Sequence, residues 1–315
     1  MNKKPIVSVI TITYKHEKYI LDTIQGVLNQ KTDFDIEHII GDDKSPDETE
    51  KVVKDFLAEN TKSNIVKYTR HKENKGINLN FIWCLEQAKG KYIAMCEGDD
   101  YWTDPYKLQK QIDLLESKPD LAMCTHEASH VSTLTNHKNV RRLLSIFKSD
   151  IQLHGFSRIP TLLKLLLLNQ EKFWLQKRTH DKLERKTINT LEDFKNNTWY
   201  MPFCSIVVQK KIIEDLIDCY YCSSGAHQLT LLMGAMRGGI YHFKDIMAVK
   251  RDQESSVSKN KERKNKLKEK NLDINKNEKI NRLKALQKHT KNENDNSIIQ
   301  NLINIELGKI KKYNN

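Results

Sequence analysis

An α/β architecture is what this sequence predicts: a mostly parallel central sheet flanked by helices, with a helical appendage at the C-terminal end. Three observations predict it. From residue 6 onward, apolar runs of strand length alternate with amphipathic stretches of helical length. Gly90 closes one of the helical stretches and Pro105 opens another. Two strand-like runs end in acidic turns, GDDKSPDET at 41–49 and CEGDDYWTDP at 96–105. Parallel strands share a direction, so both turns lie on one edge of the sheet, where ligands bind in open α/β folds.

Taken in order, IVSVITITY reads as a strand, EKYILDTIQGVLNQ as a helix, IEHIIG as a strand and DETEKVVKDFLAEN as a helix. NIVKYTR, LNFIWCLEQAKG, KYIAMC, PYKLQKQIDLLES and LAMCTH continue the alternation. Residues 131–200 are less regular, with IPTLLKLLLL and EKFWLQKR among basic stretches, and read as a helical insertion or a lid. The pattern returns in FCSIVVQKKIIEDLI, a strand running into a helix, and in LTLLMGAMRGGIYHF, a helix followed by a glycine stop and a strand. From 259 the chain turns Lys/Asn-rich and nearly devoid of apolar residues, as a solvated linker or exposed helix would be. INRLKALQKH and NSIIQNLINIELGKIKKY then read as two short helices, docked or membrane-facing. These shifts divide the chain at 1–130, 131–258 and 259–315.

Charge is unevenly spread. Residues 1–130 hold 18 Lys/Arg against 22 Asp/Glu, leaving 35 against 19 for the remainder of a chain whose formal net charge is +12. A uniformly basic nucleic-acid binder would not be built this way, and no nucleic-acid-binding signature stands out. The basic remainder suits an anionic membrane surface or a phosphate-bearing partner. The apolar start runs straight into charged residues and reads as a strand, and the most apolar segment, 159–168, is too short to span a bilayer. Six cysteines without a framework spacing point to a reducing cytoplasm, and the lone CxxC at Cys219 and Cys222 lacks the second pair of a zinc site.

No GxGxxG follows the first strand and no GxxxxGK[ST] occurs, which removes the usual dinucleotide and P-loop chemistries. What remains is the acidic edge: Asp42, Asp43, Glu97, Asp99 and Asp100. Asp, Ser and Pro are ordinary turn residues, and Ser45 or Asp47 can cap the next helix. Three carboxylates in four residues ask for more, because like charges repel unless a cation or hydrogen bonds compensate. Oxygen donors of this kind suit Mg²⁺ or Mn²⁺, which can bridge a carboxylate to substrate phosphates.

Residues 5–130 resemble the nucleotide-sugar half of family 2 glycosyltransferases, which have a GT-A fold. The likeness is carried by IVSVITITYKHEKYI, IIGDDKSPDETEKVV and the run NKGINLNFIWCLEQAKGKYIAMCEGDDYWTDPYKLQKQIDLLESKPDLAMCTH, and extends more weakly over 200–258. It implies that Thr13 and Tyr14 line a nucleobase pocket, that Asp42 hydrogen-bonds the base, and that Lys75, Gly76 and Asn80 lie beside the nucleotide. Glu97, Gly98 and Asp99 stand at the family's Asp-x-Asp motif, with Asp99 and Asp100 implied as metal ligands for Mn²⁺ or Mg²⁺. Glu97 replaces the commoner first Asp, and Leu79 stands where an Arg often precedes the Asn. In IMAVKRDQESSVS, which resembles a Tyr-Arg-x-His segment over the phosphates, Lys250 replaces the Tyr, Arg251 is kept and Gln253 stands at the His position. Arg251 and Lys250 can neutralise diphosphate charge or form a solvated basic turn.

The implied activity is a single inverting, metal-assisted transfer of one sugar from a nucleotide-diphosphate sugar, by family frequency a UDP-sugar, to a hydroxyl acceptor. The implied setting is cytoplasmic synthesis of a bacterial surface glycan, on a glycan or lipid-linked acceptor, with peripheral contact between the basic C-terminal region and an anionic membrane. Where the family often has Gly-Asp-His or Gly-Asp-Trp, this chain reads SSGAHQLTLL with Ala226 at the acid's place. His227 is then the candidate base, Glu214 an alternative, and a catalytically weak or inactive nucleotide-sugar-binding scaffold the reading from another class.

Overall fold

The structure, a computed structural model, describes residues 4–132, 174–176, 188–189, 191, 201–215, 217–221, 226–252, 280–281, 283–290 and 292–311. The expected α/β architecture is present. Strands β1 (Val7–Thr13), β2 (Ile36–Asp42), β3 (Val66–Arg70) and β4 (Tyr92–Met95) form the N-terminal part of one sheet, ordered β3-β2-β1-β4 and parallel throughout.

β1, VSVITIT, alternates like a half-exposed strand, yet all seven residues are buried. Its apolar residues divide between the two faces: Val7 and Val9 pack with Tyr92 and Leu108, whereas Ile10 and Ile12 join the cluster of Phe81 and Ile82. Its polar alternates are spent on β2. Ser8 donates to Glu37 at 2.6 Å, and Thr11 lies 2.8 Å from His38 Nε2. Such pairing is what makes buried hydroxyls and an internal carboxylate tolerable. β3, by contrast, is half-exposed in alternation, as an edge strand should be.

Helices cover both faces of this half-sheet. α1 (Ile20–Leu28) and α2 (Thr49–Glu59) pack Ile20, Ile24 and Val53 against Ile40, and α4 (Lys107–Ser117) buries Leu108, Ile112 and Leu115 on Val7 and Val9. α3 (Ile77–Gln87) covers the opposite face.

The second half extends the same sheet. β9 (Val207–Gln209) inserts antiparallel between β4 and β6 (Met123–Ser132), and β10 (Ile240–Asp252) runs parallel to β6. The short β5 (Tyr101–Trp102) closes the order on β10, whose first residues also pair antiparallel with β8 (Ile188–Asn189). In EKFWLQKR, expected as part of a helical insertion or lid, Trp174–Gln176 forms β7 and pairs with β6, because the edge of β6 offers backbone partners that an isolated turn of helix would lack. Residues 133–173, including the apolar 159–168 stretch, lie outside the described residues, as do Gln253, Cys222 and the Lys/Asn-rich 253–279.

The C-terminal helices are docked. Ile280, Leu283 and Leu286, with Ile298, Ile299 and Ile303 of the helix Glu293–Lys311, join the core cluster of Phe203, Ile213 and Leu229 on the α3 side of the sheet. Cys84, Cys96, Cys124 and Cys204 are buried free thiols, as core cysteines should be.

Candidate active site

The C-terminal ends of β1, β2 and β4 meet at one edge of the sheet. Beyond β4 the chain keeps its register with β1 for three more residues, Cys96 N–H bonding Ile10 O and Gly98 N–H bonding Ile12 O, both at 3.0 Å. This brings the acidic turn hard against the end of β1. A side chain at Gly98 has no room there: a Cβ would stand 2.7 Å from Thr13 Oγ1 and 2.8 Å from His16 Nδ1. The glycine between carboxylates is therefore the contact point of the turn.

Glu97, Asp99 and Asp100 each present a carboxylate oxygen within 4.8 Å of the others. Asp100 is only 1% exposed. Its Oδ1 accepts the Arg251 N–H at 2.8 Å, its carbonyl accepts Thr23 Oγ1 at 2.6 Å, and its Oδ2 is buried with no hydrogen-bond partner among the described residues. Burial first, then the charges of Asp99 and Glu97, push the Asp100 carboxyl well above the usual carboxylate range. Glu97 is raised as well, by burial and then by Asp99. The cluster is thus a set of hard oxygen donors, with Asp100 Oδ2 orphaned among the described residues; this donor set fits a divalent cation.

Loops after β2 and β3 form the neighbouring wall. Asp43 accepts the backbone N–H groups of Lys75 at 2.6 Å and Gly76 at 2.9 Å, and Gly76 needs its positive φ of 82° to enter α3 from this clasp. Thr13 is buried, 3.1 Å from His16, whereas Tyr14 is 41% exposed at the rim. Asp42 has no exposed surface, and its two oxygens accept Ser45 N–H at 2.7 Å and Tyr68 OH at 2.5 Å. Asn80 is likewise buried, donating to Gly41 O at 2.8 Å with His71 2.9 Å from its oxygen. These two residues, expected beside the nucleotide, are buried in this structure with their side-chain hydrogen-bonding groups paired internally.

Arg251 is also internal, 5% exposed. Its guanidinium donates to the Asp99 carbonyl at 3.0 Å and to Asp22, and stacks 4.4 Å from the Tyr101 ring centroid. His227, on the helix Ala226–Met236, lies edge-on to Phe203 at 5.7 Å. Burial and then the charge of Lys250 lower its pKa to about 4. The same Lys250 acts on Glu97 and Asp100, so His227 shares an electrostatic neighbourhood with the acidic turn.

Four residues at or behind the site escaped the sequence reading. His16, with a pKa brought down to about 4 by burial, abuts Gly98, and its one-residue spacing from Tyr14 was the available signal. Tyr68 and Asp22 look like ordinary residues of an edge strand and a helix surface. Lys107 is fully buried, 3.9 Å from the Trp102 ring centroid and 2.7 Å from Gln111 Oε1, although lysine is among the residues least often buried.

The family model described as Glycosyl transferase family 2 matches residues 8–181, more than half of the chain. The chain belongs to this family. As a family 2 glycosyltransferase it is similar, at 39% identity over 119 residues, to an uncharacterized protein of Mycobacterium tuberculosis, covering 38% of this chain and 34% of that protein. A Bacillus subtilis protein named as the teichuronic acid biosynthesis glycosyltransferase TuaG is 36% identical over 114 residues, covering 36% and 43% respectively. The aligned segments thus span well under half the length of these relatives. Among solved structures, S. aureus TarS 1–349 in complex with UDP-GlcNAc aligns with a TM-score of 0.53 at 16% identity, over 90% of this chain and 72% of that one. The mannosyltransferase PcManGT from Pyrobaculum calidifontis, in complex with GDP-Man and Mn²⁺, aligns with a TM-score of 0.55 at 14% identity, over 95% and 69%. These likenesses show the GT-A fold. Among the described residues no helix is long and apolar enough to cross a membrane.

Proposed function

We propose that this family 2 glycosyltransferase moves one sugar from a nucleotide-diphosphate sugar, a UDP-sugar by preference, to a hydroxyl acceptor with inversion, in the assembly of a surface glycan. The observation that carries the reading is the acidic turn: three carboxylates within 4.8 Å at the ligand-binding edge of the sheet, one oxygen buried and unpartnered among the described residues. Asp99 and Asp100, with Glu97 beside them, would hold Mn²⁺ or Mg²⁺; such a cation supplies positive charge to the departing diphosphate.

The residues of the chain do the rest. Tyr14 at the rim and the Lys75–Gly76 backbone clasped by Asp43 border the nucleotide, while Thr13, Asp42 and Asn80 shape the pocket from behind. Arg251 holds the turn, and its charge with that of Lys250 moderates the anionic cluster. The acceptor oxygen attacks the anomeric carbon from the face opposite the diphosphate, the carbon–oxygen bond to the diphosphate breaks with its electron pair, and the acceptor proton passes to His227. With a pKa near 4, His227 is neutral and able to accept at every working pH, at the expense of low basicity. The similarity to a protein named for teichuronic acid biosynthesis supports a surface-glycan setting. A cytoplasmic reaction, with the basic 259–315 region touching an anionic membrane, completes the proposal.

Calorimetric titration of UDP, GDP and CDP with and without Mn²⁺, on the wild type and Asp100→Asn, tests the donor site. Tight binding of one nucleotide that needs both Mn²⁺ and Asp100 is the expected result; no binding of any nucleotide refutes it. Donor binding without turnover on any hydroxyl acceptor would favour the scaffold reading that Ala226 suggests.

A further inference from the structure

We infer that Asp22, a residue of the first turn of α1, is a positioning residue for the acidic turn, acting through Arg251. This rests on the donor-site reading above and extends it to a side chain outside the carboxylate cluster.

Arg251 is the penultimate residue of β10 and meets the turn twice. Its peptide N–H donates to Asp100 Oδ1 at 2.8 Å, and its Nη1 donates to the Asp99 carbonyl at 3.0 Å. Its Nη2 donates to the Asp22 carboxylate, and the guanidinium lies 4.4 Å and 5.1 Å from the ring centroids of Tyr101 and Tyr19. Burying a guanidinium is costly unless its charge is paired. Asp22, 48% exposed, is the acid that pairs with it without belonging to the 97–100 cluster. Thr23, the next residue of α1, donates to the Asp100 carbonyl at 2.6 Å. One turn of α1 and the end of β10 therefore grip the peptide carbonyls of Asp99 and Asp100, while the aromatic rings fix the plane of the guanidinium.

The consequence is electrostatic as well as geometric. With Asp22 in place, the Arg251 charge is answered from outside the cluster. Without it, the nearest acids left to answer that charge are those of the turn, so Arg251 competes with the cation for its ligands. Partners that orient metal ligands from behind typically change metal affinity by about 10- to 100-fold when removed.

The test is Mn²⁺ binding by the full chain, followed by the loss of the free-ion electron paramagnetic resonance signal, with the melting temperature of the metal-free protein as the control for folding. Asp22→Asn is expected to weaken Mn²⁺ binding by about 10-fold with the metal-free fold intact, and Asp22→Glu to bind close to wild type. In an Arg251→Gln background, Asp22→Asn is expected to add nothing, since the two act as one unit. Wild-type affinity in Asp22→Asn, or a full further loss in the Arg251→Gln background, overturns the positioning role while leaving the donor site standing. A wild type that binds no Mn²⁺ overturns the donor-site reading and this role with it.

Discussion

Asp100→Asn should make the metal-free protein more stable while removing its response to Mn²⁺. The cluster oxygens lie within 4.8 Å of one another, so at an effective dielectric constant of about 20 each ionised pair costs at least ~3.5 kcal/mol. Lys250 and the Arg251 N–H offset part of this for Asp100. Asparagine keeps an oxygen for the Arg251 N–H and replaces the orphaned Oδ2 with a donor that the remaining carboxylates can accept. A net gain of roughly 1 kcal/mol corresponds to about 2–4 °C in melting temperature.

The pH dependence is the sharper signature. Glu97 and Asp100 both titrate higher in the folded chain than unfolded, so above the ordinary carboxylate range the unfolded chain gives up these protons first and stability falls as pH rises. The variant's advantage in EDTA should therefore be large at pH 8 and shrink toward pH 5, and Mn²⁺ should raise the melting temperature of the wild type alone. Thermal denaturation at the two pH values, with EDTA or Mn²⁺, reads all of this. A variant less stable than wild type in EDTA, by an amount indifferent to pH, would refute the account of the cluster as a strained cation site.

Gly98→Ala places a methyl group 2.7–2.8 Å from Thr13 and His16, and should cost about 1–3 kcal/mol in chemical denaturation or displace the turn and weaken nucleotide binding in the same titration. Asp43→Ala removes two charge-assisted bonds to the 75–76 backbone, each of about 1.5–3 kcal/mol, and should raise KM for the donor more than it lowers kcat. Burial lowers the Lys107 pKa to about 8, so the folded chain holds fewer protons than the unfolded one between about pH 8 and the ordinary lysine range. The Lys107 contribution therefore grows from about pH 8 to 9.5, against the opposite contribution of the four buried thiols whose pKa burial raises, so the stability of Lys107→Met relative to wild type should fall across that window in denaturant melts. His227→Gln should abolish turnover with donor binding retained, and the acid limb of the wild-type kcat/KM profile should fall near pH 4, not near 6.5; unchanged turnover would exclude it as the base.

Much of the first half was legible in the sequence because its information is local. The alternation that predicted β1 to α4 is carried by side chains a few residues apart, and the acidic turns follow their strands directly. Parallel strands then force GDD and EGDD to one edge, whatever the details of packing. Burial of the individual side chains is not written in that pattern. Asp42 and Asn80 resemble residues that touch a nucleotide, but their hydrogen bonds to Tyr68 and His71 depend on where β3 and α3 come to rest. The docking of Ile299 and Ile303 was open between core and membrane until partners such as Phe203 and Leu229 were in place.

By itself, then, the sequence determined the sheet-forming alternation, the common edge of the strand-end acids and the absence of glycine-rich phosphate loops. Only the tertiary structure decided that β9 enters antiparallel beside β4, that a lysine is buried beneath Trp102, and that Arg251 reaches back 151 positions to Asp100 and 229 to Asp22. Periodicity and turn chemistry are properties of neighbouring residues and survive in a one-dimensional reading. A clamp between distant segments exists only once burial has brought them together, and no local pattern marks either of its ends.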